Sequence, residues 1–152
     1  DVTPATFAGG YRPANYEGWK DSEPLRLREV LANSVNVAAV RVIEDVEPSA
    51  VVTFAQRLGI TTPLDASIAL ALGASGVRPI EMTNAYATFA AGGRWAPTHI
   101  VTRIEGPGGD VALPPLEEPR DVMTPAEAYV LTSMLTSVIE SGTATRARWI
   151  AR

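Results

Sequence analysis

Ser34-Val35-Asn36 joins two side chains suited to chemistry. A hydroxyl donates and accepts hydrogen bonds at once, so it can pass a proton. A carboxamide offers a peptide unit both a donor and an acceptor without adding charge. Leu27, Val30 and Leu31 recur at helical spacing, and the next position on that face is Ser34. Residues two apart on a helix do not face each other. Ser34 and Asn36 can therefore serve one target only if the chain leaves the helix here and restarts. Asn33, Ser34 and Asn36 favour such a break, because each can cap the amides of a new helix. Capping of the second helix is equally the alternative account of why they stand there.

The elements that must position this pair are legible on either side. Pro4, Gly9, Gly10, Pro13 and Gly18 make residues 1–23 an irregular packed lead-in, with a turn over Pro13–Gly18 pinned by Asn15 and Gly18. A first helix is expected over 24–33, with Pro24 in its first turn. A second spans 36–45, rich in Val and Ala and buried on most sides. Pro48 opens a third, to about Leu58, with Val51, Phe54, Ala55 and Leu58 inward and Gly59 as its C-cap. Ala71-Leu72-Gly73 reads as a buried helical turn closed by Gly73. Pro79 starts a fourth helix with Met82, Ala85, Tyr86, Phe89 and Ala90 on its core face, stopped by Gly92-Gly93. His99–Glu105 and Val111–Leu113 flank the turn 106–110 as a hairpin, and 114–121 form a Pro/Glu loop. Thr124-Pro125-Ala126-Glu127 is a capping box for a last helix to about Ser141, with Leu131, Met134, Leu135 and Val138 inward and Gly142 as its cap. The fold class expected is mostly α with a small β-hairpin.

Composition narrows the function classes. With 152 residues, 46% hydrophobic and 20% charged, the chain can bury a core and is not disordered. A net charge of −4 without a basic run argues against nucleic acid as a partner. There is no cysteine and one histidine, His99, so a His/Cys metal site is excluded and no cofactor is expected. His99 itself reads as a surface or packing residue. No apolar run reaches membrane-spanning length.

Ser34-Val35-Asn36, with Leu27–Ala32 ahead of it and Val37-Ala38-Ala39-Val40-Arg41 behind, resembles the Ser-x-Asn motif of penicillin-binding transpeptidases, closest to the class A, bifunctional type. Pro13-Ala14-Asn15-Tyr16, Arg57-Leu58-Gly59-Ile60, Ala71-Leu72-Gly73, the run 79–90 and Gly142-Thr143 resemble further segments of that family. The resemblance implies the helical part of an α+β penicillin-binding/β-lactamase-like domain, whose sheet lies outside these residues. It implies a D,D-transpeptidase that cross-links peptidoglycan stem peptides through a serine acyl-enzyme and is acylated by β-lactams. Ser34 would be a proton-relay hydroxyl, and Asn36 would bind the substrate backbone or the nucleophile's lysine. The site of action would be extracytoplasmic, in a parent chain with an N-terminal membrane helix and a glycosyltransferase.

The family's two other signatures are missing from these residues. Lys20 is the sole lysine, Glu17 stands three positions before it and Asp21 follows it, so neither Ser-x-x-Lys nor Lys-Thr-Gly occurs. The expectation is an internal section of a larger enzyme, inactive alone. The alternative is a non-catalytic helical module that binds peptidoglycan or a protein. Apolar surface left where a sheet should pack makes self-association a further expectation.

Overall fold

The computed structural model describes residues 3, 5–16 and 24–149. Among the described residues there are five helices: α1 (Leu27–Asn33), α2 (Asn36–Val46), α3 (Pro48–Arg57), α4 (Pro79–Ala90) and α5 (Pro125–Glu140). Short 3-10 turns occupy Ala8–Gly10, Ile68–Leu72 and Thr145–Trp149. Two small antiparallel sheets complete it. One pairs β1 (Arg94–Trp95) with β4 (Arg120–Asp121), and the other pairs β2 (Ile104–Gly106) with β3 (Gly109–Val111).

Helix starts follow local chemistry. The α1 start is set by Glu29, whose carboxylate accepts the Arg26 amide at 2.8 Å. Pro24 therefore lies before the helix, not in its first turn. At α5 the expected capping box forms: the Thr124 amide donates to Glu127 at 2.7 Å, and the Glu127 amide donates back to the Thr124 hydroxyl. These bonds from Thr124 hold the Glu127 carboxyl below its ordinary range. Gly59 ends α3 at φ 92°, and a Cβ there would run into the Trp95 indole.

Among the described residues the buried apolar side chains fall into three small clusters. Leu58, Ile60, Ala85, Trp95 and Val122 form the first, with Phe54 and Phe89 against it. Val30, Val35 and Ala38 form the second, around the α1–α2 junction. Phe7, Val37 and Val40 form the third, with Tyr11, Ile68 and Ala71 alongside. Polar groups tie the clusters together. The Arg28 guanidinium donates to the Ser133 carbonyl and to the Ser133 and Ser137 hydroxyls, which joins α1 to α5. Arg57 donates to the Val122 carbonyl at 2.5 Å, and Arg120 stacks on Trp95 at 3.7 Å.

Several expectations are corrected. On α4, Ala85 and Phe89 face the core as expected, but Glu81 and Thr88 are buried with them while Met82, Tyr86 and Ala90 are exposed, Tyr86 at 53%. The helix is rotated because Glu81 is satisfied inside: the Thr61 hydroxyl, Thr62 hydroxyl and Thr62 amide donate to its carboxylate at 2.6, 2.7 and 3.3 Å. Val42 and Val46 are exposed, so α2 is buried on one side only. Ile68–Leu72 is a 3-10 turn that is half-buried, although Gly73 closes it at φ 75° as expected. The hairpin is real but shorter than its alternation suggested: pairing covers Ile104–Gly106 and Gly109–Val111 and leaves out His99–Arg103. Arg120–Asp121, expected in a loop, is a strand paired to Arg94–Trp95. Gly18, expected to close the early turn, lies outside the described residues.

Gly142 also has a different role. It does not adopt a left-handed cap. Instead it lets the chain after α5 pass close to α1, where the Thr143 amide donates to the Ala32 carbonyl at 3.0 Å. A Cβ at 142 would strike the Ala32 carbonyl and the Val138 backbone.

Two predictions follow from these tethers. The Thr61 and Thr62 hydroxyls lower the Glu81 pKa from 4.5 to about 2. A folded pKa below the unfolded one gives stability that is present above 4.5 and lost as pH falls toward 2. Glu81→Gln should therefore lower the melting temperature at neutral pH and flatten its fall between those two pH values, as read by circular dichroism. Gly142→Ala forces backbone apart, and should destabilise by about 3 kcal/mol in urea unfolding, the upper end for overpacking.

Candidate functional site

The site is built by a helix break. α1 ends at Asn33, and Ser34 adopts φ 55° and ψ 50°, a left-handed conformation that serine rarely takes. The Ser34 and Val35 amides then turn back onto the Leu31 and Val30 carbonyls at 3.3 and 3.0 Å. Val35 is extended, almost fully buried, and precedes the first residue of α2, which is Asn36. The expected break between residues 33 and 36 is thus present. The unbroken helix that would have set Ser34 and Asn36 apart is not.

Capping of α2 is not what these residues do. Val35 occupies the N-cap position and offers no side-chain acceptor. The Asn33 carboxamide bonds back to the Glu29 carbonyl at 3.0 Å. Ser34 is instead the C-cap of α1 through its backbone. The acceptor for α2 comes from far upstream: the Val37 amide donates to Asn15 Oδ1 at 3.0 Å. In return, Asn36 Nδ2 donates to the Ala14 carbonyl at 2.8 Å. Asn15 therefore reaches across to α2, and the turn expected over Pro13–Gly18 runs into residues outside the described ones.

Ser34 is exposed, and its hydroxyl makes no hydrogen bond among the described residues. Asn36 is half-buried. Both line a cleft of about 600 Å³ together with Tyr16, Asn33, Ser141, Gly142 and Thr143. Both also line an apolar groove of about 550 Å³ walled by Leu27, Leu31, Val42, Leu131 and Met134 among others. A hydroxyl that can relay a proton and a carboxamide that can hold a peptide unit thus sit where a polar cleft meets an apolar one. Beyond the expected pair, Tyr16, Ser141, Gly142 and Thr143 are lining residues distant in sequence that local reasoning left out of the site, with Asn33 beside Ser34. Only long-range contacts bring them there.

A larger cavity, about 770 Å³, lies between α3 and α5 and is lined by Phe54, Arg57, Asp121 and Glu127 among others. Its polar groups are already engaged. Glu127 serves the capping box, Arg57 holds Val122, and Asp121 pairs with Arg94 at 3.5 Å. Among the described residues no group of three or more His, Asp or Glu side chains could hold a metal ion. His99 is exposed, away from the Ser34 cleft lining.

Residues 4–151 match the penicillin binding protein transpeptidase domain. Penicillin-binding protein 2D of Bacillus subtilis (strain 168) is 35% identical over 130 residues, which is 86% of this chain and 19% of that protein. The crystal structure of penicillin-binding protein 1A from Haemophilus influenzae superposes with a TM-score of 0.82 at 26% identity, covering 97% of this chain and 28% of that one. An imipenem acyl-enzyme complex of penicillin-binding protein A from M. tuberculosis, 22% identical, shares the fold at a TM-score of 0.74, over 91% of this chain and 38% of that one. The chain spans 19% and 16% of the length of two curated relatives that it matches. The helix-rich architecture with small strand pairs, the broken helix at Ser34 and these matches lead to one assignment: the chain belongs to the penicillin-binding protein transpeptidase domain family.

Proposed function

We propose that this chain supplies one wall of the active site of a D,D-transpeptidase that cross-links peptidoglycan stem peptides and is acylated by penicillins. The observation that carries the reading is the left-handed break at Ser34, which puts a hydroxyl without a partner among the described residues and a fixed carboxamide on one cleft. The nucleophile and its lysine, and the Lys-Thr-Gly strand, belong to other segments of the longer protein, since this sequence contains neither motif. These 152 residues are then one section of the catalytic domain, inactive alone. The relatives' printed names, all penicillin-binding proteins, support β-lactams as ligands of the same cleft.

In this reading acyl transfer proceeds by attack of a serine on the penultimate D-Ala carbonyl, release of the terminal D-Ala, and aminolysis by a neighbouring strand. Ser34 passes the proton between the lysine beside the nucleophile and the departing amine, which needs a group able to accept and donate in one step. Asn36 holds the stem peptide's backbone through the donor and acceptor that its bond to Ala14 leaves open. Peptidoglycan lies outside the cytoplasm, so the site of action is extracytoplasmic. No helix among the described residues is long and apolar enough to cross a membrane.

The test is acylation of the full-length protein by a fluorescent penicillin. Ser34→Ala should lower the second-order acylation rate about a hundredfold, within the range for losing a positioned acid–base group. Asn36→Ala should lower it about tenfold, the cost of one buried hydrogen bond to substrate. Wild-type rates in both variants would remove the pair from the mechanism.

A further inference from the structure

We propose that Asn15 is a positioning residue for Asn36. This rests on the reading of Asn36 as a substrate-binding group. Each asparagine bonds the backbone of the residue next to the other, each bond spanning 22 positions of sequence. Asn15 Oδ1 accepts the Val37 amide at 3.0 Å, and Asn36 Nδ2 donates to the Ala14 carbonyl at 2.8 Å. Each bond brings the other's partner into reach, because Ala14 and Asn15 are neighbours, as are Asn36 and Val37.

The clasp answers a specific need. The second amide of a helix is ordinarily satisfied by the N-cap side chain, and here the N-cap is Val35. Val35 is fixed there by burial at 1% exposure, so no polar residue can take its place without opening the second cluster. Asn15 supplies the missing acceptor from outside. The segment it anchors is itself held by Pro13, which is buried, and leads to Tyr16 on the cleft.

The consequence falls on the carboxamide. Asn36 can rotate about its side-chain bonds unless its Nδ2 stays on the Ala14 carbonyl. The Asn15 bond to the Val37 amide holds that carbonyl beside the start of α2. Loss of Asn15 therefore frees the Asn36 amide to leave the orientation in which its other donor and its acceptor meet substrate. Small misplacement of a positioned group is costly in rate. Asn15 acts through Asn36 and is not a catalytic residue.

The experiment is a double-mutant cycle on the full-length protein, read as the second-order acylation rate with a fluorescent penicillin, with melting temperatures alongside. Asn15→Ala should lower the rate about tenfold in the wild-type background and leave it unchanged in the Asn36→Ala background. Asn15→Asp, which keeps an acceptor at the helix N-terminus, should stay within about twofold of wild type. An equal loss in both backgrounds, or none in either, overturns the proposal. If Asn15→Ala does not fold, Asn15→Ser, whose hydroxyl falls short of Val37, takes its place in the cycle. Slow Ser34→Ala and Asn36→Ala with a fast Asn15→Ala sinks this inference alone. Fast Ser34→Ala and Asn36→Ala sinks the proposed function itself.

Discussion

The left-handed backbone at Ser34 is the constraint on which the site depends. Ser34 and Glu47 are the two non-glycine residues with positive φ among the described residues. Holding an L-residue there costs about 1–2 kcal/mol. Against it stand two backbone hydrogen bonds, worth about 0.5–1.5 kcal/mol each. Burial of Val35 in the second cluster adds about 1.5–3 kcal/mol. The two bonds and the burial of the residue after the break are of similar size, and together they outweigh the strain. Such outliers survive where the surroundings over-determine them, and they gather at functional sites.

Three separate segments converge on that break. The segment through Ala14 and Asn15 clasps the start of α2, the α1–α2 junction supplies Ser34 and Asn36, and the chain after α5 reaches the Ala32 carbonyl through Thr143. Each contact uses a polar group or a bare glycine at a close approach, not a large apolar side chain. The same pattern holds away from the site. Glu81 ties the loop at Thr61-Thr62 to α4, and Arg28 ties α1 to α5. With three small clusters among the described residues, these tethers help set how the helices lie relative to each other.

Much of this was readable locally. The helices at Pro48, Pro79 and Thr124 carry proline or a capping box at their starts, and these signals act within one turn. The break before Asn36 was readable because Ser34 interrupts an apolar face. What escaped depends on distant partners. The inward turn of Glu81 needs two threonines about twenty positions away. The pairing of Trp95 with Arg120 joins strands of two residues each, too short for any alternation. Asn33, Ser34 and Asn36 looked like caps because their types suit that task, yet the acceptor came from Asn15. Gly142 looked like a stop signal, and its use is close approach to Ala32. Residue type reports what a side chain can do, and only the fold decides which partner it meets.

The central claim is that Ser34 and Asn36 face one bound acyl group. A crystal structure of the full-length protein acylated by a penicillin measures this directly. The account predicts the Ser34 hydroxyl and the Asn36 carboxamide within about 3 Å of the bound ligand or of the groups that activate it, with Asn36 still on the Ala14 carbonyl. A ligand bound with both side chains turned away from it would contradict the account.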